Sequence, residues 1–326
     1  MDLATVPKGS TIKQVFDNTI ALAKKAEAFG FTRIWFAEHH NMAAIASSSP
    51  PVLIGQIAAA TKTIRVGSGG VMLPNHSPLI VAEQFGTLGN FFPNRIDLGL
   101  GRAPGTDQET ARAIKPGFID AAQSFPEEIE KIQTYFSEEN KTAKVRATVA
   151  EGVEVPIYIL GSSTDSAYLA AKKGLPYAFA SHFAPAQLFQ AVDIYQSQFK
   201  PSAALQKPYT IAGINVIIAD TDAEAERLST SYLRIVVGIL SGTRKDFVEE
   251  PTDMTAEFKE IRQHPAVAQM TKFAFVGSKA TVKKQVAEFM AQTGVDEFIA
   301  ASNMYSAEAR VKSFQLFSEI MQELNE

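Results

Sequence analysis

Residues 155–180 read VPIYILGSSTDSAYLAAKKGLPYAFA. The stretch opens on a short apolar run, 155–160, rich in the β-branched and aromatic residues that suit a strand. Gly161 breaks the run, and Ser163, Thr164 and Asp165 supply the side chains that begin a helix. That helix is expected over 163–173 and stops at Gly174, a residue that accepts the left-handed conformation of a helix end. A second strand follows at 177–180. A strand, a helix and another strand in this order make a parallel pair joined by a right-handed crossover.

The same unit extends in both directions. Toward the N-terminus, strands are expected at 3–6, 32–37, 63–72 and 95–100. Helices follow at 11–29, 51–60 and 79–91, and helical sequence dominates 106–136. Toward the C-terminus, helices are expected at 185–199, 223–240, 279–293 and 307–324, with strands at 210–219 and 296–301. These are eight strands, each followed by helical sequence. Eight such units most often close into a (β/α)8 TIM barrel, with an open doubly wound sheet as the alternative. No shift of composition marks a second domain, so residues 1–326 are read as one α/β barrel domain. The polar segment 241–272, after the seventh strand, is an insertion and a candidate lid.

Composition narrows the function. Hydrophobic residues make up 46% of 326, enough for a large core, and the net charge of −4 lacks the basic surface of a nucleic-acid binder. Cysteine is absent, which excludes disulfides, thiolate nucleophiles and cysteine metal sites. The opening MDLATVPKGS has no signal-peptide pattern, and no apolar run approaches the roughly 18 residues of a membrane span. A cytoplasmic enzyme with no membrane or nucleic-acid partner is expected.

In barrels of this kind chemistry sits at the C-terminal ends of the strands. Three such ends stand out. The second strand runs into Glu38-His39-His40, which holds two of the five histidines. Histidine is a common general base, although a pair of loop histidines is the plain alternative. Neighbouring side chains on an extended backbone diverge, so a shared metal ion is not expected. The fourth strand, RIDLGLGR over 95–102, alternates Ile96, Leu98 and Leu100 against Asp97, Gly99 and Gly101. The missing side chains leave space for a planar ligand or allow a close backbone approach. Small residues in the third strand, Gly67 to Gly70, again open space in the lumen or, on the plain reading, make a flexible strand weakened by glycine. Arg102 suits a phosphate. After the fifth strand, the serines before 164 either cap a helix or, with Arg102 alongside, hold an anion at its N-terminus. GLGRAPG misses the dinucleotide fingerprint, since Pro104 stands where its last glycine would be.

Together these segments resemble the bacterial luciferase-like flavin monooxygenases, in particular their single-chain, non-bioluminescent members. The likeness is carried by RIWFAEHHNM (33–42), SSSPPVLIGQIAAATKTIRVGSGGVMLPNHSPLIVAEQFGTL (47–88), RIDLGLGRAPGTD (95–107), PIYILGSSTDSAYLAAKKGLP (156–176) and FVGSKATVKKQVAEF (275–289). The resemblance implies a luciferase-like barrel that uses reduced FMN and O2 on a small organic substrate, with an aldehyde as the family's suggestion. It implies catalytic roles for His39, with His40 and Glu38 beside it. It implies FMN binding by Gly69, Gly70 and Val71 behind the ring, with a cis peptide at Gly69–Gly70. Arg102, Leu160, Gly161, Ser162, Ser163 and Ser166 would hold the phosphate end.

Reducing equivalents would come from NAD(P)H, bound directly or used by a separate flavin reductase, and a homodimer is expected. The resemblance also leaves room for a deazaflavin-dependent oxidoreductase or a non-catalytic flavin-binding protein. A flavin-free lyase or hydrolase using Glu38 is the more distant alternative. Two departures are visible. Gly101 stands where the light-emitting alpha chain has a cysteine, and the chain starts inside what should be the first strand.

Overall fold

Every pairing between named strands is parallel among the residues described by the computed structural model, 1–243 and 245–326. The first half contains α1 (Ile12–Ala28), β1 (Arg33–Phe36), α2 (Pro50–Ala60), β2 (Arg65–Ser68), β3 (Val71–Met72), α3 (Pro78–Phe91) and β4 (Ile96–Gly101). Next come α4 (Gln108–Ile114), α5 (Phe118–Gln123), α6 (Phe125–Phe136), β5 (Ile157–Gly161), α7 (Thr164–Lys173), β6 (Tyr177–Phe179) and α8 (Leu188–Gln198). The chain ends with β7 (Thr210–Ala219), α9 (Asp222–Ser241), α10 (Ala256–Gln263), α11 (Pro265–Met270), β8 (Ala274–Ser278), α12 (Lys279–Thr293), β9 (Glu297–Ala301) and α13 (Ala307–Asn325).

The sheet runs β1-β2-β4-β5-β6-β7, and β9 lies beside the first half of β7. The N-terminal residues bring its ends together. The Asp2 N–H donates to Trp35 O at 2.8 Å, and the Ala37 N–H donates to Asp2 O at 3.2 Å. On the other side the Met1 amino group donates to Ala300 O at 2.6 Å. With this segment as one stave, the ring has the eight positions of a (β/α)8 barrel.

Two expectations, the strands at 3–6 and 63–72, need correction, and two regions gain detail. Residues 3–6 form no strand; isolated bridges at Asp2, Thr5 and Pro7 stand in its place, and the positive φ of 48° at Ala4 interrupts the extended backbone. The stretch 63–72 is two strands, β2 and β3, divided at Gly69–Gly70. The helical region 106–136 is three helices, with Gly117 in the left-handed conformation between α4 and α5, and Pro126 in the first turn of α6. Residues 274–278 form a strand that pairs with Asn215–Ala219, the second half of β7.

The segment 241–272 follows α9 and contains α10 and α11; residue 244 within it lies outside the described residues. Its 248–252 stretch is tied down. The Ser231 hydroxyl donates to Glu249 O at 2.7 Å, and the Lys8 N–H donates to Val248 O at 2.8 Å. Any lid motion of this stretch has to break these bonds.

The alternation on β4 sets its two faces. Ile96, Leu98 and Leu100 are buried in the main core beneath the helices. Asp97 points into the barrel, where its carboxylate accepts from Arg33 at 2.7 Å, the Trp35 indole at 3.0 Å and the Arg65 Nε at 2.9 Å. Arg33 also donates to Glu297 at 2.8 Å and to the Tyr158 hydroxyl at 2.8 Å. The residues that make this network come from the starts of the strands, so it fills the floor of the barrel. Above it lies an apolar layer of Trp35, Tyr158, Ala178, Ile211 and Ile299, with Met1 and Leu160 against it.

Candidate active site

The loop after β1 turns Glu38 inward, leaving it 1% exposed. One of its oxygens accepts from His40 Nε2 at 2.8 Å, and the other accepts from the Met72 N–H at 3.0 Å. His76 Nε2 lies 2.8 and 3.0 Å from the two oxygens, and Asn75 Nδ2 donates at 3.2 Å. A carboxylate has about four lone-pair sites, so the group is close to saturated. Burial alone would raise its pKa. The hydrogen bonds from His40, His76 and the Met72 amide outweigh burial and hold it at about 2. Glu38 is therefore an ionised anchor between the loop after β1 and the turn after β3. Sequence reasoning missed His76, whose available signal was its place soon after a glycine-rich strand end.

His39 is oriented from the neighbouring loop. Its ring Nδ1 lies 3.0 Å from Gly105 O. A carbonyl only accepts, so Nδ1 carries the proton and Nε2 is the basic nitrogen of the neutral ring. Gly105 has a φ of +69°, and a Cβ there would sit 2.5 Å from Glu38 O. No other residue fits without displacing one of the two loops. The Thr106 hydroxyl donates to His40 O at 2.9 Å and adds a second stitch between them.

The glycines on β2 and β4 serve close approach rather than an open slot. A Cβ on Gly99 would lie 2.2 Å from Ser68 O, and one on Gly70 would lie 2.7 Å from Gly99 O and 2.2 Å from Leu160 Cδ1. The space beside Gly101 is taken by the end of Met72. The Gly69–Gly70 peptide is cis, as expected, and leads into the buried Val71.

Arg102 leaves the end of β4 exposed. One of its terminal nitrogens is 3.4 Å from Asp165 in the first turn of α7. Ser163 is the N-cap of α7 but makes no side-chain capping bond, and Ser162 is exposed beside it. The Thr164 N–H donates to Gln187 Oε1 at 3.3 Å. Ser166 faces the other way. Its hydroxyl donates to Ser163 O at 2.6 Å and meets the Tyr177 hydroxyl at 2.9 Å. Gly161 is required there, because a Cβ would fall 1.8 Å from that hydroxyl oxygen. The geometry thus groups Arg102, Ser162 and Ser163 at the surface and sets Ser166 behind them.

Sequence reasoning also missed His182, in the loop after β6. It was legible only as a histidine two residues past an expected strand. Its ring occupies the place of the missing side chain of Gly213, whose Cβ would lie 2.3 Å from His182 Nδ1. The Asn215 amide donates to His182 O at 2.6 Å. Burial pushes the imidazole pKa down to about 3, with smaller contributions in the same direction from the N-terminal amino group and His39.

No group of three or more potential metal ligands occurs among the described residues. None of the described helices is long and apolar enough to cross a membrane. A cavity of about 420 Å³ opens near the other end of the barrel, between α1, α13 and the facing edges of β1 and β9, away from these groups.

Comparison with known proteins agrees with this architecture. The model of the family described as luciferase-like monooxygenase matches residues 1–297. A luciferase-like monooxygenase of Escherichia coli (strain K12) is 43% identical over 324 residues, covering 99% of this chain and 96% of that protein. The N-acetyl-S-alkylcysteine monooxygenase of Bacillus subtilis (strain 168) is 30% identical over 98% of this chain and 96% of its own. Among solved structures, apo-MsnO8 superposes with a TM-score of 0.88 at 31% identity, covering 98% of this chain and 96% of the other. The oxygenating constituent of 3,6-diketocamphane monooxygenase in complex with FMN shares the fold, with a TM-score of 0.71 at 19% identity over 95% and 93% of the two chains.

Proposed function

The chain belongs to the luciferase-like monooxygenase family, and from that premise we propose that it is an FMN-dependent monooxygenase that oxidises a small organic molecule with O2. Bound reduced FMN would supply the two electrons for that chemistry. The residues fit such a group. The observation that carries the reading is the exposed Arg102 guanidinium facing the first turn of α7, where Ser163 leaves its capping capacity unused. A phosphate placed there would meet a cation, helix N–H groups and two serine hydroxyls. It would also displace the long, exposed contact between Arg102 and Asp165, which is worth little on its own.

The remaining roles are assigned to side chains of this chain. His39 accepts or returns a proton at Nε2, with its ring held through Nδ1. Glu38 positions the site by holding His40 and His76, and its ionised, saturated carboxylate is a poor proton acceptor at neutral pH. Gly69, Gly70 and Val71 form the wall behind the ring, and Leu160 and Gly161 lead into the phosphate loop. Electrons would reach FMN from NAD(P)H, directly or through a separate flavin reductase. The protein would act in the cytoplasm as a homodimer. The named Bacillus subtilis relative, an N-acetyl-S-alkylcysteine monooxygenase, supports a small organic substrate. Titrating the protein with FMN and with riboflavin tests the reading. FMN should bind at least tenfold more tightly, and equal affinities would remove the phosphate site.

A further inference from the structure

We infer that His182 is a specificity-determining positioning residue, which presents an N–H donor from the lumen wall to an uncharged oxygen acceptor on the substrate, such as a ketone or amide carbonyl. This rests on the proposed monooxygenase reading and adds to it a requirement on the substrate.

The placement of the ring comes first. Ile211 belongs to the apolar layer inside the barrel. Gly213, two residues along the same strand, faces the same way. The His182 ring lies over Gly213 and fills that interior position. It comes from the opposite side of the barrel to Gly69, Gly99 and Arg102, because β6, β7 and β9 make up the arc away from β2 and β4. Its backbone is fixed by the bond from Asn215, which is itself held 3.0 Å from the Tyr232 hydroxyl.

The tautomer follows from the sealed edge of the ring. His182 Nδ1 is buried and has no hydrogen-bond partner. A sealed N–H without an acceptor is rarer and costlier than a sealed lone pair. The lone pair therefore belongs on Nδ1 and the proton on Nε2. Nε2 is not among the buried atoms without a partner, and the residue keeps part of its surface accessible. The depressed pKa agrees with a ring that stays uncharged.

His182 thus presents an N–H at Nε2 toward the lumen. An uncharged donor above a layer of Trp35, Tyr158, Ile211 and Ile299 matches an apolar molecule carrying one neutral oxygen. It does not match a plain hydrocarbon, which would leave the donor unpaired.

The test uses the 15N-labelled full chain, with and without FMN, and two probes of the same shape: cyclohexanone, and methylenecyclohexane, which lacks the oxygen. The imidazole nitrogens of His182 are assigned with the His182→Gln variant. The expected result is a neutral ring protonated at Nε2, whose Nε2 signal moves with cyclohexanone and not with methylenecyclohexane. His182→Leu should weaken cyclohexanone binding roughly tenfold, the scale of one hydrogen bond. His182→Gln, which keeps an N–H donor, should stay within a few-fold of wild type. A ring protonated at Nδ1, an equal or absent response to the two probes, or full affinity in His182→Leu would overturn the inference. FMN affinity, measured separately, tells this outcome from failure of the flavin reading, because the tautomer and probe selectivity can be read without FMN.

Discussion

His76 Nε2 lies 2.8 and 3.0 Å from the two carboxylate oxygens of Glu38, so one buried acid ties the turn after β3 to the loop that carries His39 and His40. The consequence for stability has a definite sign. The folded-state pKa of Glu38, about 2, lies below its ordinary value of 4.5. The contribution is therefore fully present above pH 4.5 and is lost as the pH falls from there toward 2. Its size is on the order of 3 kcal/mol. Urea unfolding between pH 7 and pH 3 should show this loss in wild type and a flatter profile in Glu38→Gln. Identical pH profiles would show that the carboxylate is not held by these bonds.

Asp97 is completely buried between two arginines and the Trp35 indole. Asp97→Ala leaves both guanidinium groups facing a low-dielectric interior without their shared partner, a loss of about 3–5 kcal/mol. Chemical denaturation measures it. A cost under about 1 kcal/mol, the level of a surface ion pair, would mean that water or Glu297 replaces the carboxylate.

A methyl group on Gly99 would meet a backbone oxygen, Ser68 O, at 2.2 Å, so no rotation of a side chain relieves the clash. Gly99→Ala should lower stability by about 1–3 kcal/mol and separate β2 from β4 near the Gly69–Gly70 turn. A melting temperature equal to that of wild type would contradict the tight strand spacing.

These cases show what the sequence could and could not reveal. The β-α-β rhythm was legible because apolar runs alternate with amphipathic stretches, with stop glycines marking the ends of α7, α9 and α12, and on β4 the inward face of Asp97, Gly99 and Gly101 followed from simple alternation. β8 was not legible, since its five residues, Ala274–Ser278, alternate between half-buried and buried and follow a polar segment. The first strand was misread because Leu3–Val6 looks apolar, while Ala4 adopts a turn conformation that only the tertiary contacts impose. In the candidate site, residues adjacent in sequence such as Glu38 and His39 could be picked out. His76 and His182 could not, because their roles depend on contacts from distant strands. The glycines were ambiguous for the same reason: a missing side chain does not say whether a ligand or a neighbouring strand takes the space.

His39→Ala should retain FMN binding and lose turnover by about 100-fold or more, the usual size of a general acid–base contribution. Fluorescence titration with FMN and oxygen uptake with FMN, NADH and a generic reductase separate the two effects. Turnover at the wild-type level would reassign the proton transfer to another group.

The most direct measurement is an anaerobic titration of the protein, and of Arg102→Ala, with reduced FMN and with reduced F420. Reduced FMN should bind at least tenfold more tightly than F420. Arg102→Ala should weaken FMN by roughly 10- to 100-fold, the scale of a charge-assisted phosphate contact. Tighter binding of F420, or FMN affinity indifferent to Arg102, would contradict an FMN phosphate site at Arg102.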